Sequence, residues 1–164
     1  FPYTTLFRSE IKGDKPEDEL YKGRISYLLG ENKDAISYLE KAKEHKQMLA
    51  SYYLGLAYDA NGDSDKAKKC IAEYIKSGVA TSYDLYELGM QEMQDGNYKN
   101  ALTYFNSGLE LEKVPNKQNL MKSAIAAYEY SGDFDSAKKM MKEYLKAYPD
   151  DEEAKHENTF LETR

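Results

Sequence analysis

The stretch Leu54-Gly55-Leu56-Ala57-Tyr58-Asp59-Ala60-Asn61-Gly62-Asp63-Ser64-Asp65-Lys66-Ala67 decides the fold, because the chain repeats it. The same spacing runs from Lys22-Gly23 to Gly30 and Ala35, from Leu88-Gly89 to Gly96 and Ala101, and from Ala124-Ile125 to Gly132 and Ala137. In every copy the second glycine stands five residues before an alanine. Gly30, Gly62, Gly96 and Gly132 are therefore separated by 32, 34 and 36 residues. A period of this size predicts stacked helical hairpins, each too small to bury its own apolar face.

Each position in the stretch has a physical task. Gly55 falls in mid-helix, where glycine costs up to about 1 kcal/mol relative to alanine. It is expected there because a neighbouring helix comes too close for a side chain. Ala67 has the same role on the second helix. Gly62 suits the left-handed residue that ends a helix. Asp63, Asn97 and Asp133 stand where the next helix needs an N-cap acceptor, and Glu31 is a poorer cap. Tyr98 and Phe134 open the second helix with an aromatic plug.

This pattern resembles the tetratricopeptide repeat of bacterial type, whose motif reads Leu-Gly-x-x-Tyr, then Gly-x-Tyr-x-x-Ala, with a final Pro. Leu54, Gly55, Tyr58, Gly62 and Ala67 match in the second copy. Leu88, Gly89, Gly96, Tyr98 and Ala101 match in the third, and Tyr128, Gly132, Phe134, Ala137 and Pro149 in the fourth. The first copy keeps Gly23, Gly30, Ala35 and Ala42 but has Lys22 for the Leu and Asn32 for the aromatic. Ile125 replaces the first glycine of the fourth copy, so that hairpin is expected to pack more openly. The resemblance implies an all-α fold: a right-handed superhelical solenoid of about four hairpins with a C-terminal capping helix.

The domain expected from this register spans 17–148, with hairpins at about 17–45, 48–77, 82–111 and 118–147. The longer connection Glu112-Lys113-Val114-Pro115-Asn116-Lys117 accounts for the 36-residue step. Pro149 stops the last hairpin, and Asp150 is expected to cap a final helix within 150–164, with Asp151, Glu152 and Glu153 at its positive end. Residues 10–16 are polar and expected to be loose, with Pro16 able to open a helix. Residues 1–9, Phe-Pro-Tyr-Thr-Thr-Leu-Phe-Arg-Ser, do not follow the pattern and resemble a translated sequencing adapter. The expectation is a non-native artefact, with the native N-terminus and any signal, lipid anchor or preceding domain lost. Location therefore stays open between the cytoplasm and the cell envelope.

Composition agrees with helices in a thin array. Val and Ile are scarce while Ala, Leu, Lys and Glu are common. Apolar residues and glycine (Tyr not counted) number 61 of 164, about 37%, below the ~45–50% of globular domains. A solenoid buries less than a globule, which explains the deficit. The net charge of −6 argues against direct binding of nucleic acid or an anionic membrane through a basic field. No apolar run approaches the ~20 residues of a membrane span.

Reactive constellations are not expected. The two histidines, His45 and His156, lie far apart in the array, which disfavours a triad or a histidine metal cluster. Cys70 occupies a packing position, where a buried inert thiol is expected. Asp59, Asn61, Asp63 and Asp65 suggest a calcium loop, but its sixth and twelfth positions are Ser64 and Cys70 rather than Gly and Glu. The glycines punctuate hairpins and form no phosphate-binding loop. No catalytic residue, metal site or cofactor is expected, and the chain is not expected to be an enzyme.

Function is expected on a surface. The resemblance implies that the first helix of each hairpin lines a concave groove and the second forms the convex back. The expected groove residues are Tyr21, Arg24, Tyr52, Leu56, Asp59, Tyr83, Tyr86, Met90, Met93 and Glu129. Leu28, Lys122 and Ala126 share these faces. Aromatic and Met side chains offer large, adaptable contact area. Acidic side chains outnumber Arg24 and Lys122 on the faces, so the expected partner is a protein or peptide with apolar or aromatic anchors and net positive charge. The carboxylate clamp of chaperone-binding relatives is not expected, because Leu20, Arg24, Tyr53, Tyr83 and Glu87 occupy its positions and only Arg24 is basic. The reading is a protein–protein interaction scaffold. The alternatives are a peptide-sensing regulatory domain of a larger chain and an envelope-associated lipoprotein scaffold whose N-terminal anchor is missing, the one route to a membrane.

Overall fold

Helices of about thirteen residues are too short to persist alone in water, so packing has to hold them. The computed structural model describes residues 15–164. Among these it contains nine α-helices: α1 Pro16–Leu28, α2 Asn32–Glu44, α3 Met48–Ala60, α4 Ser64–Lys76, α5 Ser82–Gln94, α6 Tyr98–Leu109, α7 Lys117–Tyr130, α8 Phe134–Ala147 and α9 Glu152–Leu161. The segment 1–9 lies outside the described residues. The described helices form two compact units, one ending at Ala80 and one spanning Thr81–Arg164.

The turns work by backbone conformation. Gly62 adopts φ +85°, a value that side chains resist, and its N–H donates to the Asp59 carbonyl at 2.9 Å. Asp63 then accepts from the Lys66 N–H at 3.4 Å, and Asp133 accepts from the Ser136 N–H at 3.1 Å. Asn97 differs from expectation: its side chain makes no cap bond. The last helix also starts one residue later than expected. Asp151, not Asp150, is its N-cap and accepts from the Ala154 N–H at 3.1 Å.

In the first unit α1 packs on α2, α2 on α3 and α3 on α4, and the first helices α1 and α3 also touch. The close approach expected at Gly55 is real: a Cβ there would lie 2.6 Å from Ile71 Cδ1. Leu39, Ala35, Ala42, Ala50, Leu54 and Ala57 form the centre of this core. The second unit repeats the scheme with α5 to α8, and α5 touches α7. The long connector is tied down by Asn116, which is buried and donates from Nδ2 to the Ser82 carbonyl at 3.1 Å. Ile125, in place of a glycine, is itself buried against a cluster with Met121, Met141 and Tyr144. The α9 helix caps this unit by burying Ala154 and Leu161 in the same cluster. Full burial of a leucine is worth about 1.5–3 kcal/mol and contributes to docking this short helix.

Candidate functional site on the first-helix faces

In α1, Tyr21, Arg24 and Leu28 recur at helical spacing and form one stripe. Tyr21 is 53% exposed and Leu28 71% exposed. The Arg24 guanidinium lies 4.8 Å from the ring centre of Tyr53 on α3 and 5.9 Å from that of Tyr21. Tyr53 also meets the Tyr27 ring edge-on at 6.5 Å. Arg24 is thus drawn onto aromatic faces, where cation–π attraction holds it.

Tyr52, expected in the groove, is buried instead, at 8% exposure. Its ring sits 5.1 Å from Tyr53 and 5.3 Å from Tyr74 of α4. One residue turns the helix by about 100°, so Tyr52 faces its own hairpin and Tyr53 faces α1. Two adjacent tyrosines give no sequence signal for that choice. Leu56 is half-buried and Asp59 exposed. Burial chiefly, then the nearby Asp59 and Tyr53, raises the Tyr27 hydroxyl above its ordinary value.

In the second unit Tyr83 is 56% exposed on α5. Tyr86, Met90 and Met93 are half-buried and pack on a core of Ala101, Phe105, Leu120, Ala124 and Ala127. The Tyr86 ring lies 6.2 Å from Phe105, and the Ser123 hydroxyl on α7 approaches Met90 Sδ at 3.6 Å. These side chains are packed on the core and remain partly open to solvent.

Glu129 lies further along α7, half-buried. Burial first, and then Glu157 of α9, raises its carboxyl above the ordinary range. Its Oε1 is buried without a hydrogen-bond partner. Lys122, on the same stripe, pairs with Asp151 at 2.9 Å and Glu153 at 3.3 Å. Asp151 in turn accepts from the Tyr144 hydroxyl at 2.5 Å. That bond first, then Lys122, holds the Asp151 carboxyl well below the usual carboxylate range. A cavity of about 260 Å³ opens between α7, α8 and α9, with Lys122 and Glu129 among its walls.

Other chemistry is sparse. Cys70 is buried, and that burial pushes its thiol up. Among the described residues no group of three or more His, Cys, Asp or Glu is placed to hold a metal ion. No described helix is long and apolar enough to cross a membrane.

Comparison with known proteins agrees with the hairpin geometry. A tetratricopeptide repeat model matches residues 49–77 and 118–151. No curated protein matches significantly in sequence. Among solved structures, a MamA RS-1 ArsTM double mutant is 18% identical with a TM-score of 0.62, covering 93% of this chain and 85% of that one. YrrB, described as a tetratricopeptide protein with an unusual peptide-binding site, is 18% identical with a TM-score of 0.61, covering 96% of this chain and 81% of its own. A tetratricopeptide repeats protein from Bacteroides fragilis is 12% identical with a TM-score of 0.56, covering 98% and 88%. The repeat model thus matches the α3–α4 and α7–α8 hairpins, and the described helices share the all-α fold of these tetratricopeptide repeat proteins.

Proposed function

We propose that this chain is a non-catalytic scaffold whose first-helix faces hold an extended or helical segment of a protein partner. The segment carries apolar or aromatic anchors and net positive charge. The tetratricopeptide fold is that of a protein–protein interaction scaffold, which supports the class of the reading. The observation that carries the finer reading is the α5 face, where exposed Tyr83 stands beside the half-buried Tyr86, Met90 and Met93. An aromatic and thioether surface of this kind offers large, adaptable contact area. The charge of the ligand follows from the cations that the faces hold back. Arg24 lies over Tyr53, and Lys122 is paired with Asp151 and Glu153, whereas Glu87 is exposed. The peptide-binding site named for YrrB makes a peptide ligand a reasonable first class to test here.

The experiment is capture of a partner from native lysate, followed by titration of that partner against variants. A few anchors dominate most interfaces, each costing about 2 kcal/mol or more when truncated. Tyr83→Ala and Tyr86→Ala are therefore expected to weaken binding at least about tenfold with helicity retained. Lys68→Ala, exposed on the second helix α4, is expected to change it little. Loss of binding in Lys68→Ala with retention in both tyrosine variants would assign function to the opposite face.

A further inference from the structure

The cavity between α7, α8 and α9 has two kinds of wall. Ile125, Ala126 and Met141 are apolar, while Glu129, Glu153 and Glu157 bring carboxylates. The arrangement follows from helical periodicity: Lys122, Ile125, Ala126 and Glu129 recur on one face of α7, and Glu153 and Glu157 are one turn apart on α9. The charges do not balance locally. Lys122, the one cation among the lining residues, is committed to Asp151 and Glu153, and Glu129 and Glu157 face each other beyond it. Glu129 bears the cost, since one of its oxygens is buried and unpartnered. Burial and Glu157 together disfavour its ionised form.

We infer that this cavity is a specificity pocket for one basic side chain of the partner segment, with Glu129 and Glu157 receiving its cationic head and Ile125, Ala126 and Met141 its aliphatic stem. The inference rests on the partner-binding reading above and names the residue type that the second unit selects. Arginine and lysine bury their methylenes on apolar surface and keep the charged end at a polar rim. The volume of about 260 Å³ is that of a side-chain niche. Arginine fits best, because its planar fork can bridge two carboxylates that a lysine ammonium would contact as a point charge. A neutral polar side chain would leave the two carboxylates opposed, and an acidic one would add a third, so the pocket discriminates by repulsion as well as attraction.

The test uses the full chain, ¹⁵N-labelled, titrated with N-acetyl-arginine amide and, separately, N-acetyl-glutamine amide and N-acetyl-norleucine amide. Saturable amide shifts are expected with the arginine derivative around Glu129 on α7 and Glu157 on α9, and not with the other two. Binding is expected to weaken at least about tenfold in Glu129→Gln and in Glu157→Gln, the loss that removing a charge-assisted hydrogen bond brings. Having two variants on different helices guards against a folding defect in one. The inference is overturned if no saturable shifts appear, if the norleucine or glutamine derivative shifts the same amides equally, or if both variants bind arginine as the parent does. The groove reading fails separately. Tyr83→Ala and Tyr86→Ala should leave binding of the arginine derivative unchanged, so a partner indifferent to both tyrosines refutes the groove alone, while a silent arginine titration refutes the pocket alone.

Discussion

Replacing Gly89 by alanine sets helix propensity against packing. Gly89 lies within α5, where alanine gains about 1 kcal/mol over glycine. A Cβ at that position would stand 2.2, 2.5 and 2.8 Å from Cε1, Cδ1 and Cζ of Phe105. Ordinary carbon contacts are about 3.5–4.0 Å, so the ring would have to retreat by more than about 1 Å. It has nowhere to go: Phe105 is fully buried, with Ala101, Leu120 and Ala124 in its cluster and Tyr86 6.2 Å away. Overpacking costs about 1–3 kcal/mol and more when nothing can yield. Set against the propensity gain, the expected net loss is about 2 kcal/mol, a fall of roughly 1 M in the urea midpoint for a domain of this size. Urea melts of the parent and of Gly89→Ala, followed by circular dichroism at the helix band, measure it. The loss should shrink by at least about 1 kcal/mol when Gly89→Ala is made in a Phe105→Leu background, because contacting residues couple by this much. At Gly55 the obstacle is the flexible end of Ile71, so Gly55→Ala should cost less than Gly89→Ala. A stabilising Gly89→Ala, or a cost unchanged by Phe105→Leu, would refute the close-approach reasoning.

Two further outcomes test register and charge. Ala67→Leu, at a buried site beside the carbonyl that crowds Gly55, should lose about 1–3 kcal/mol by overpacking. Lys66→Leu gives up only an exposed ion pair with Asp63 and a contact with the Tyr58 ring and should lose much less; equal losses in thermal melts would mean a wrong helical register. Asp151 is held below its ordinary value of 3.8, so its support of α9 is full above that value and is lost as pH falls toward the lowered one. The protection factors of the α9 amides, which remove the intrinsic pH dependence of exchange, should therefore fall in acid in the parent and depend less on pH in Asp151→Asn; identical profiles of protection against pH would contradict it.

The sequence alone determined the hairpins, because their punctuation is local. Gly62 ends a helix through its own φ and Asp63 starts the next through a bond three residues away, so a period of glycines is legible without any tertiary contact. It also marked Gly55 and Ala67 as sites of close approach, since a small residue in mid-helix needs an outside reason. Only the tertiary structure decided which of two adjacent residues faces which neighbour. Tyr52 turned inward to Tyr74 while Tyr53 met Arg24, and Asp151 rather than Asp150 took the cap. In each pair the local chemistry is the same, and a rotation of about 100° or a slip of one residue is settled by packing. The pocket at Glu129 belongs to the same class. Glu129 and Glu157 are 28 positions apart, and their opposition exists only because α9 folds back over α7 and α8 to bury Leu161.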